Sequence, residues 1–285
     1  MQLPFALDLS GKTAVVTGGA GVLCSTFAEA LAEAGAKVAI LDINLEGSEK
    51  VAAKIASAGG TALALKTDIL ERDSLEKARE EIKQKLGTCD ILINGAGGNH
   101  PSGTTTKDYL ELEDIKSKQD DLTTFFDLDP AGIKFVFNLN FLGALLTSQV
   151  FAADMAEKDD STIINISSMN AFTPLTRIPA YSGAKAAVSN FTKWLAVHLS
   201  KVNIRVNALA PGFFETEQNE ALLHNDDGSY SERAKKILSQ TPMERFGDPE
   251  ELLGTLFWLI SPQAASFVNG TVIPIDGGFS AYSGV

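Results

Sequence analysis

Cysteine and positive charge are both scarce in this chain. Its two cysteines, Cys24 and Cys89, form neither a disulfide framework nor a metal-ligand spacing, so no metal site is expected. Lysine and arginine number 24 against 36 acidic residues, a formal net charge of −12. That balance argues against a nucleic-acid or anionic-membrane partner, because both need clustered cations, and it makes an anionic substrate depend on a local positive site. The opening MQLPFALDLSGK lacks the positive start and apolar run of a secretory signal, so a reducing cytoplasm is the expected compartment. Uninterrupted lipid-facing runs are absent too. The stretch 135–153 carries Asn138, Asn140 and Gln149, and 252–275 is broken by Ser261, Pro262 and Gln263, which points to buried helices and a buried strand.

What remains is the composition of an ordinary soluble protein, 45% hydrophobic and 21% charged over 285 residues, enough to bury a sizeable core. A short apolar strand, TAVVTGG, leads through a glycine turn into the helical CSTFAEALAEAGA and a second strand, KVAILD. The unit repeats through TALALKTDI, CDILINGAG, STIINISS and NIRVNALAPG to a last strand in GTVIPIDGG. This alternation predicts an α/β fold, a single Rossmann-type doubly wound parallel sheet with helices on both faces, filling residues 1–285 as one domain. Two excursions, 98–130 and 213–243, follow the carboxyl ends of strands, where such sheets bind ligands, and are expected to cover or select a substrate.

The turn TGGAGVLC places Gly18, Gly19 and Gly21, followed by Val22 and Leu23, between the first strand and helix. Glycines there allow a tight turn and close approach of backbone to a pyrophosphate, and the helix N-terminus adds amide donors. Asp42 ends the second strand, where a carboxylate can accept from ribose hydroxyls. It would repel a 2′-phosphate, and no Arg or Lys lies beside it in LDINLE, so NAD is favoured over NADP. Asp68 and Ile69 in TDI, and Asn94, Gly95, Ala96 and Gly97 in NGAG, fall at later strand ends, suited to the adenine and the cofactor backbone.

Tyr181 and Lys185, four apart in YSGAK, share one helix face, and Ser168 lies 13 residues earlier at the mouth of a strand. A tyrosine with its ordinary pKa of about 10 is a better base near neutrality once lowered by about three units. A neighbouring ammonium and a positively charged nicotinamide both act in that direction. Ser168 is then positioned to hydrogen-bond a substrate oxygen, and Tyr181 to move the alcohol proton as general acid or base while hydride passes to or from the nicotinamide.

Taken in order, the glycine turn at 17–24, Asp68, NGAG, NLNFLG, the serines before Tyr181 and Lys185, NALAPGFFET and the terminal DGG resemble the short-chain dehydrogenase/reductase family over nearly the whole chain. The resemblance implies a catalytic tetrad of Asn140, Ser168, Tyr181 and Lys185, with Asn140 holding a water that extends the proton relay beyond the lysine. It also implies that Pro211, Gly212, Phe214 and Thr216 surround the nicotinamide carboxamide; Thr216 as a helix cap is the competing role. Val22 and Cys24 depart from the family, which commonly has glycine at both positions. Val22 does not freely take positive φ, so the path of the phosphate loop is left open, and Cys24 is taken as a packing residue.

Substrate selection is expected from Asn99, His100, Asn170 and Arg177, which flank the catalytic groups and suit a polyhydroxylated acid, with Arg177 clamping a carboxylate. A surface ion pair for Arg177 and a loop cap for His100 are the competing roles. NGAGGNHPSGTTT, FFDLDPAGIKFVFNLNFLG and SSMNAFTPLTRIPAYSGAK resemble the branch of the family that interconverts D-mannonate and D-fructuronate. Another sugar-acid or polyol dehydrogenase, such as one acting on gluconate, and a non-catalytic dinucleotide sensor are the alternatives. The helices near 140–153 and 181–199 and the C-terminal VIPIDGGFSAYSGV resemble the family's homotetramer surfaces.

Overall fold

A computed structural model describes residues 7–117, 119–215 and 223–284. Seven parallel strands form its one sheet: β1 Thr13–Thr17, β2 Lys37–Asp42, β3 Thr61–Lys66, β4 Ile91–Asn94, β5 Ser161–Ile166, β6 Ile204–Pro211 and β7 Val272–Ile275. Their order is β3-β2-β1-β4-β5-β6-β7, and all the neighbouring pairs are parallel. The chain winds outward from β1 in one direction and then from β4 in the other, which leaves a crevice at the carboxyl ends where the direction reverses.

The helices that flank these strands are α1 Val22–Glu33, α2 Leu45–Ser57, α3 Arg72–Lys85, α4 Leu112–Lys116, α5 Pro130–Phe137, α6 Gly143–Met155, α7 Pro179–His198, α8 Glu232–Ser239 and α9 Leu253–Ile260. Period-two alternation along the strands divides the core. Ala14, Val16, Val38, Ile40, Ile91 and Ile93 pack with Phe27 and Leu31 of α1, Ile55 of α2 and Leu256 of α9. Val15, Ala39, Leu41 and Leu92 face the opposite way, onto Leu75 of α3, Phe151 of α6 and Phe191 of α7. Both faces of the sheet are therefore covered by apolar helix stripes, the arrangement expected of a parallel sheet.

The apolar run expected near 133–157 is not one regular helix. Residues Asn138–Leu142 form a π turn between α5 and α6. Pro130–Met155 is long and apolar enough to cross a membrane, but α6 sends Val150, Phe151 and Met155 into the core beneath the sheet. Its apolarity follows from that burial.

Candidate active site

Residues at the carboxyl ends of β1 to β6 line one cleft of about 690 Å³. At its first end Gly18 takes φ +68°, and a Cβ there would fall 2.7 Å from Ala96 Cα, so both conformation and space call for glycine. Val22 meets no conflict: it is the first residue of α1, while Gly21 before it is extended at φ −79°. No side chain caps α1, and its first main-chain bond runs from Ser25 N to Gly21 O at 2.8 Å. The amides of Val22, Leu23 and Cys24 thus have no acceptor within the helix, where an anion is favoured.

Cys24 occupies a hollow that Gly95 leaves, since a Cβ on Gly95 would lie 2.2 Å from the sulfur. Burial pushes the Cys24 thiol up to about 12, as suits a packing residue. Asp42 is fixed at the lip: Oδ2 accepts from Ala20 N at 3.1 Å and Oδ1 from Asn44 N at 2.9 Å. Ile43 beside it is 66% exposed and offers an apolar surface within the cleft. With uncapped amides for a diphosphate, a carboxylate for ribose hydroxyls and an apolar wall, the donor set fits a nicotinamide dinucleotide. Asp68, Ile69, Gly95, Ala96 and Gly97 line the same cleft.

Asn94 does not line it. Its side chain points into the fold, where Nδ2 donates to Ser148 Oγ at 2.9 Å and Asn165 Oδ1 at 2.8 Å, tying β4 to α6 and β5. A residue at a strand end projects to one face of the sheet, and here that face is core. Pro211, Gly212 and Phe214 line the cleft, while Thr216 lies outside the described residues.

At the other end Ser168, Tyr181 and Lys185 converge. Pro179 starts α7, bringing Tyr181 and Lys185 into its first two turns. Ser168 Oγ accepts from Asn170 N at 3.2 Å and lies close enough to the Tyr181 phenol to favour its ionised form. Lys185 is 4% exposed; its Nζ donates to Ile166 O at 2.8 Å and lies 5.6 Å from the centre of the Tyr181 ring. Burial drives the Lys185 ammonium down to about 8. Burial also holds the Tyr181 phenol above its ordinary value, and the nearby Ser168 hydroxyl pulls the other way. Burial outweighs Ser168 here, and the Lys185 ammonium is turned to the Ile166 carbonyl, so the lowering expected from the sequence rests on the charge of a bound nicotinamide.

Asn140 sits in the π turn, a form frequent at functional sites. Its Nδ2 donates to Gly98 O at 2.7 Å and Val136 O at 2.8 Å, and its Oδ1 accepts from Gly98 N at 3.2 Å. A Cβ on Gly97 would fall 2.6 Å from Asn140 Oδ1 and 3.1 Å from Lys185 Nζ, so the two side chains flank the same backbone.

The four residues expected to select substrate do not line this cleft. Asn99 Nδ2 donates to Thr104 Oγ1 at 3.0 Å, and His100 Nδ1 accepts from Ser102 N at 3.2 Å, so both organise their own loop. Asn170 is 5% exposed with its Oδ1 unpartnered. Arg177 Nε donates to Asp108 Oδ1 at 2.7 Å, so its guanidinium already holds a carboxylate of the protein. Instead the cleft gains Leu223, Arg233 and Ile237 from the second excursion and Phe246 just beyond it. The amphipathic ERAKKILS of α8 was the available signal for the middle two.

Comparison with known proteins adds four similarities. A family model described as short chain dehydrogenase matches residues 12–227. The chain is 56% identical to an Uncharacterized oxidoreductase of Haemophilus influenzae, over 98% of this chain and 96% of that one. It is 51% identical to the Uncharacterized oxidoreductase UxuB of Bacillus subtilis, over 100% of both. Among solved structures, a Haemophilus protein provisionally named D-mannonate oxidoreductase, with NAD bound, superposes with a TM-score of 0.94 at 55% identity over 100% of both chains.

Proposed function

The chain belongs to the short-chain dehydrogenase family and is an NAD-dependent oxidoreductase, and we propose that, as one catalytic domain, it interconverts D-mannonate and D-fructuronate, with reduction of the keto acid as the working direction. The observation that carries this is the meeting of Ser168, Tyr181 and Lys185 in one cleft with a dinucleotide-fitting turn. The provisional name of the NAD-bound Haemophilus relative supports the choice of substrate.

Bound NADH supplies the hydride. Ser168 holds the ketone oxygen, and Tyr181 delivers its phenolic proton to that oxygen as the carbonyl carbon is reduced, so the alcohol forms with its proton in place. A phenol held above its ordinary value is protonated at neutral pH, which suits an acid in the reductive direction. Lys185, fixed on Ile166 O beside the ring, offsets the negative charge that proton loss leaves on Tyr181. Asn140 pins Gly98 next to Lys185, where the proton relay implied by the family resemblance would continue through water.

The test follows NADH absorbance with D-fructuronate, with NADPH and 5-ketogluconate run in parallel. Rapid NADH oxidation with fructuronate alone supports both the substrate and the role of Asp42 in cofactor choice. Turnover of 5-ketogluconate without fructuronate overturns the substrate and keeps the chemistry; binding of NADH with no sugar-acid turnover favours a sensor. We also propose a homotetramer, supported by Trp194 at 57% and Val197 at 76% exposure on α7. Light scattering that returns a monomer overturns it.

A further inference from the structure

A sugar acid brings a carboxylate into a protein of net charge −12, and something must receive it. Of the chain's six arginines, five are engaged. Arg72 pairs with Glu76, Arg79 with Glu80, Arg177 with Asp108 and Arg245 with Glu251, while Arg205 donates to Leu259 O. Arg233 has no partner among the described residues, and it lines the cleft. Lys185 is the only other cationic side chain there among the described residues, and it is committed to Ile166 O.

The placement of Arg233 is not casual. It stands one turn before Ile237 on α8, and both face the cleft. Ala234, Ile237 and Leu238 of that helix pack with Phe213 and Phe246, which seats α8 at the end of β6, next to β5 and Ser168. Lys236 pairs with Asp108, which also accepts from Arg177 Nε and, at 3.0 Å, from Thr176 Oγ1. Arg177 holds φ +70° with its carbonyl bonded by Thr105 N at 2.8 Å. A three-part tie thus joins α8, the 98–130 excursion and the loop entering α7, four residues before Tyr181.

We infer that Arg233 is the carboxylate receptor of the substrate site, held over the cleft by the Lys236–Asp108–Arg177 tie. This rests on the sugar-acid substrate proposed above. The other anion that enters the cleft, the dinucleotide diphosphate, is served by the uncapped amides of α1 at the β1 end, whereas α8 is seated at the β6 end with Ser168. A guanidinium with no partner among the described residues suits bidentate capture of a carboxylate.

The experiment compares wild type with Arg233→Gln and Arg233→Lys, each checked for an unchanged NADH dissociation constant by fluorescence. Two readouts are taken: KM for D-fructuronate and 5-ketogluconate, and binding of D-mannonate, D-gluconate and the uncharged D-mannitol to the NADH-loaded protein. Losing a charge-assisted bond is expected to raise KM for the keto acid by about tenfold to a hundredfold in the glutamine variant, with the lysine variant in between. Binding of the two acids should weaken in parallel while mannitol is unaffected. Unchanged KM and unchanged acid binding overturn the assignment, as does weakened NADH binding with unchanged acid binding, which would give Arg233 to the diphosphate. If wild type turns over neither keto acid, the substrate proposal fails, yet acid binding lost in Arg233→Gln still supports the receptor and unchanged or absent acid binding overturns it.

Discussion

Lys185→Met should make the dinucleotide-free protein more stable at neutral pH while abolishing its activity. Burial holds the folded pKa of Lys185 at about 8, below the ordinary 10.5. Between those values the unfolded chain carries the proton and the native one does not, so stability rises with pH through that window and the burial penalty is fully present below about pH 8. At about 1.4 kcal/mol per unit, the shift corresponds to about 3 kcal/mol of penalty at pH 7. Methionine removes that penalty and forfeits the bond to Ile166 O, which costs about 1 kcal/mol. The net gain is about 2 kcal/mol, or an increase of about 4–8 °C in Tm for a chain of this size. Differential scanning calorimetry of both proteins at pH 7 and at pH 10.5 checks it, because the gap should shrink at the higher pH. A variant that melts below wild type at pH 7, or a gap independent of pH, would refute the claim that Lys185 is kept at a cost in stability for the sake of the reaction.

Two further outcomes follow from the same geometry. Tyr181→Phe should lower kcat by more than about 10²-fold, the usual contribution of a proton-transfer group, while NADH still binds in a fluorescence titration; near-wild-type turnover would remove Tyr181 from the chemistry. Gly95→Ala should destabilise the fold by about 1–3 kcal/mol, because its methyl would meet the Cys24 sulfur and, at 2.9 Å, the Thr17 carbonyl. Adding Cys24→Ala should recover part of that loss in urea melts, whereas strictly additive effects would mean that the thiol and Gly95 are not packed on one another.

The sheet was legible because a parallel strand buried on both faces announces itself as a run such as AVV or ILI, bounded by a turn and followed by a helical period. The cofactor turn was legible because Gly18 and Gly95 are dictated by backbone conformation and by close approach, which depend on residue type more than on distant partners. The π turn at Asn138–Leu142 was not, since one extra residue per turn leaves the apolar periodicity of NLNFLGALL nearly unchanged. Asn94 was misplaced for a related reason: the strand end is visible in the sequence, but which face its side chain takes depends on Asn165 and Ser148, 71 and 54 residues away.

Charge is where sequence reasoning was weakest, and the substrate side of the cleft shows why. Arg177 precedes Tyr181 by four residues and has the right chemistry for a carboxylate, so proximity favoured it. Its guanidinium is instead held by Asp108, 69 residues away, and Asp108 in turn takes Lys236, 128 residues further on. Whether a cation is free to bind a ligand is therefore decided by which carboxylates the fold has already given it, and nothing in LTRIPAY records that. Arg233 becomes conspicuous only by subtraction, once every other arginine has been matched to its acceptor. In a strongly acidic chain this subtraction is unusually sharp: with 36 carboxylate side chains available, a guanidinium that lines the cleft and has no partner among the described residues is the group the proposed carboxylate site would use.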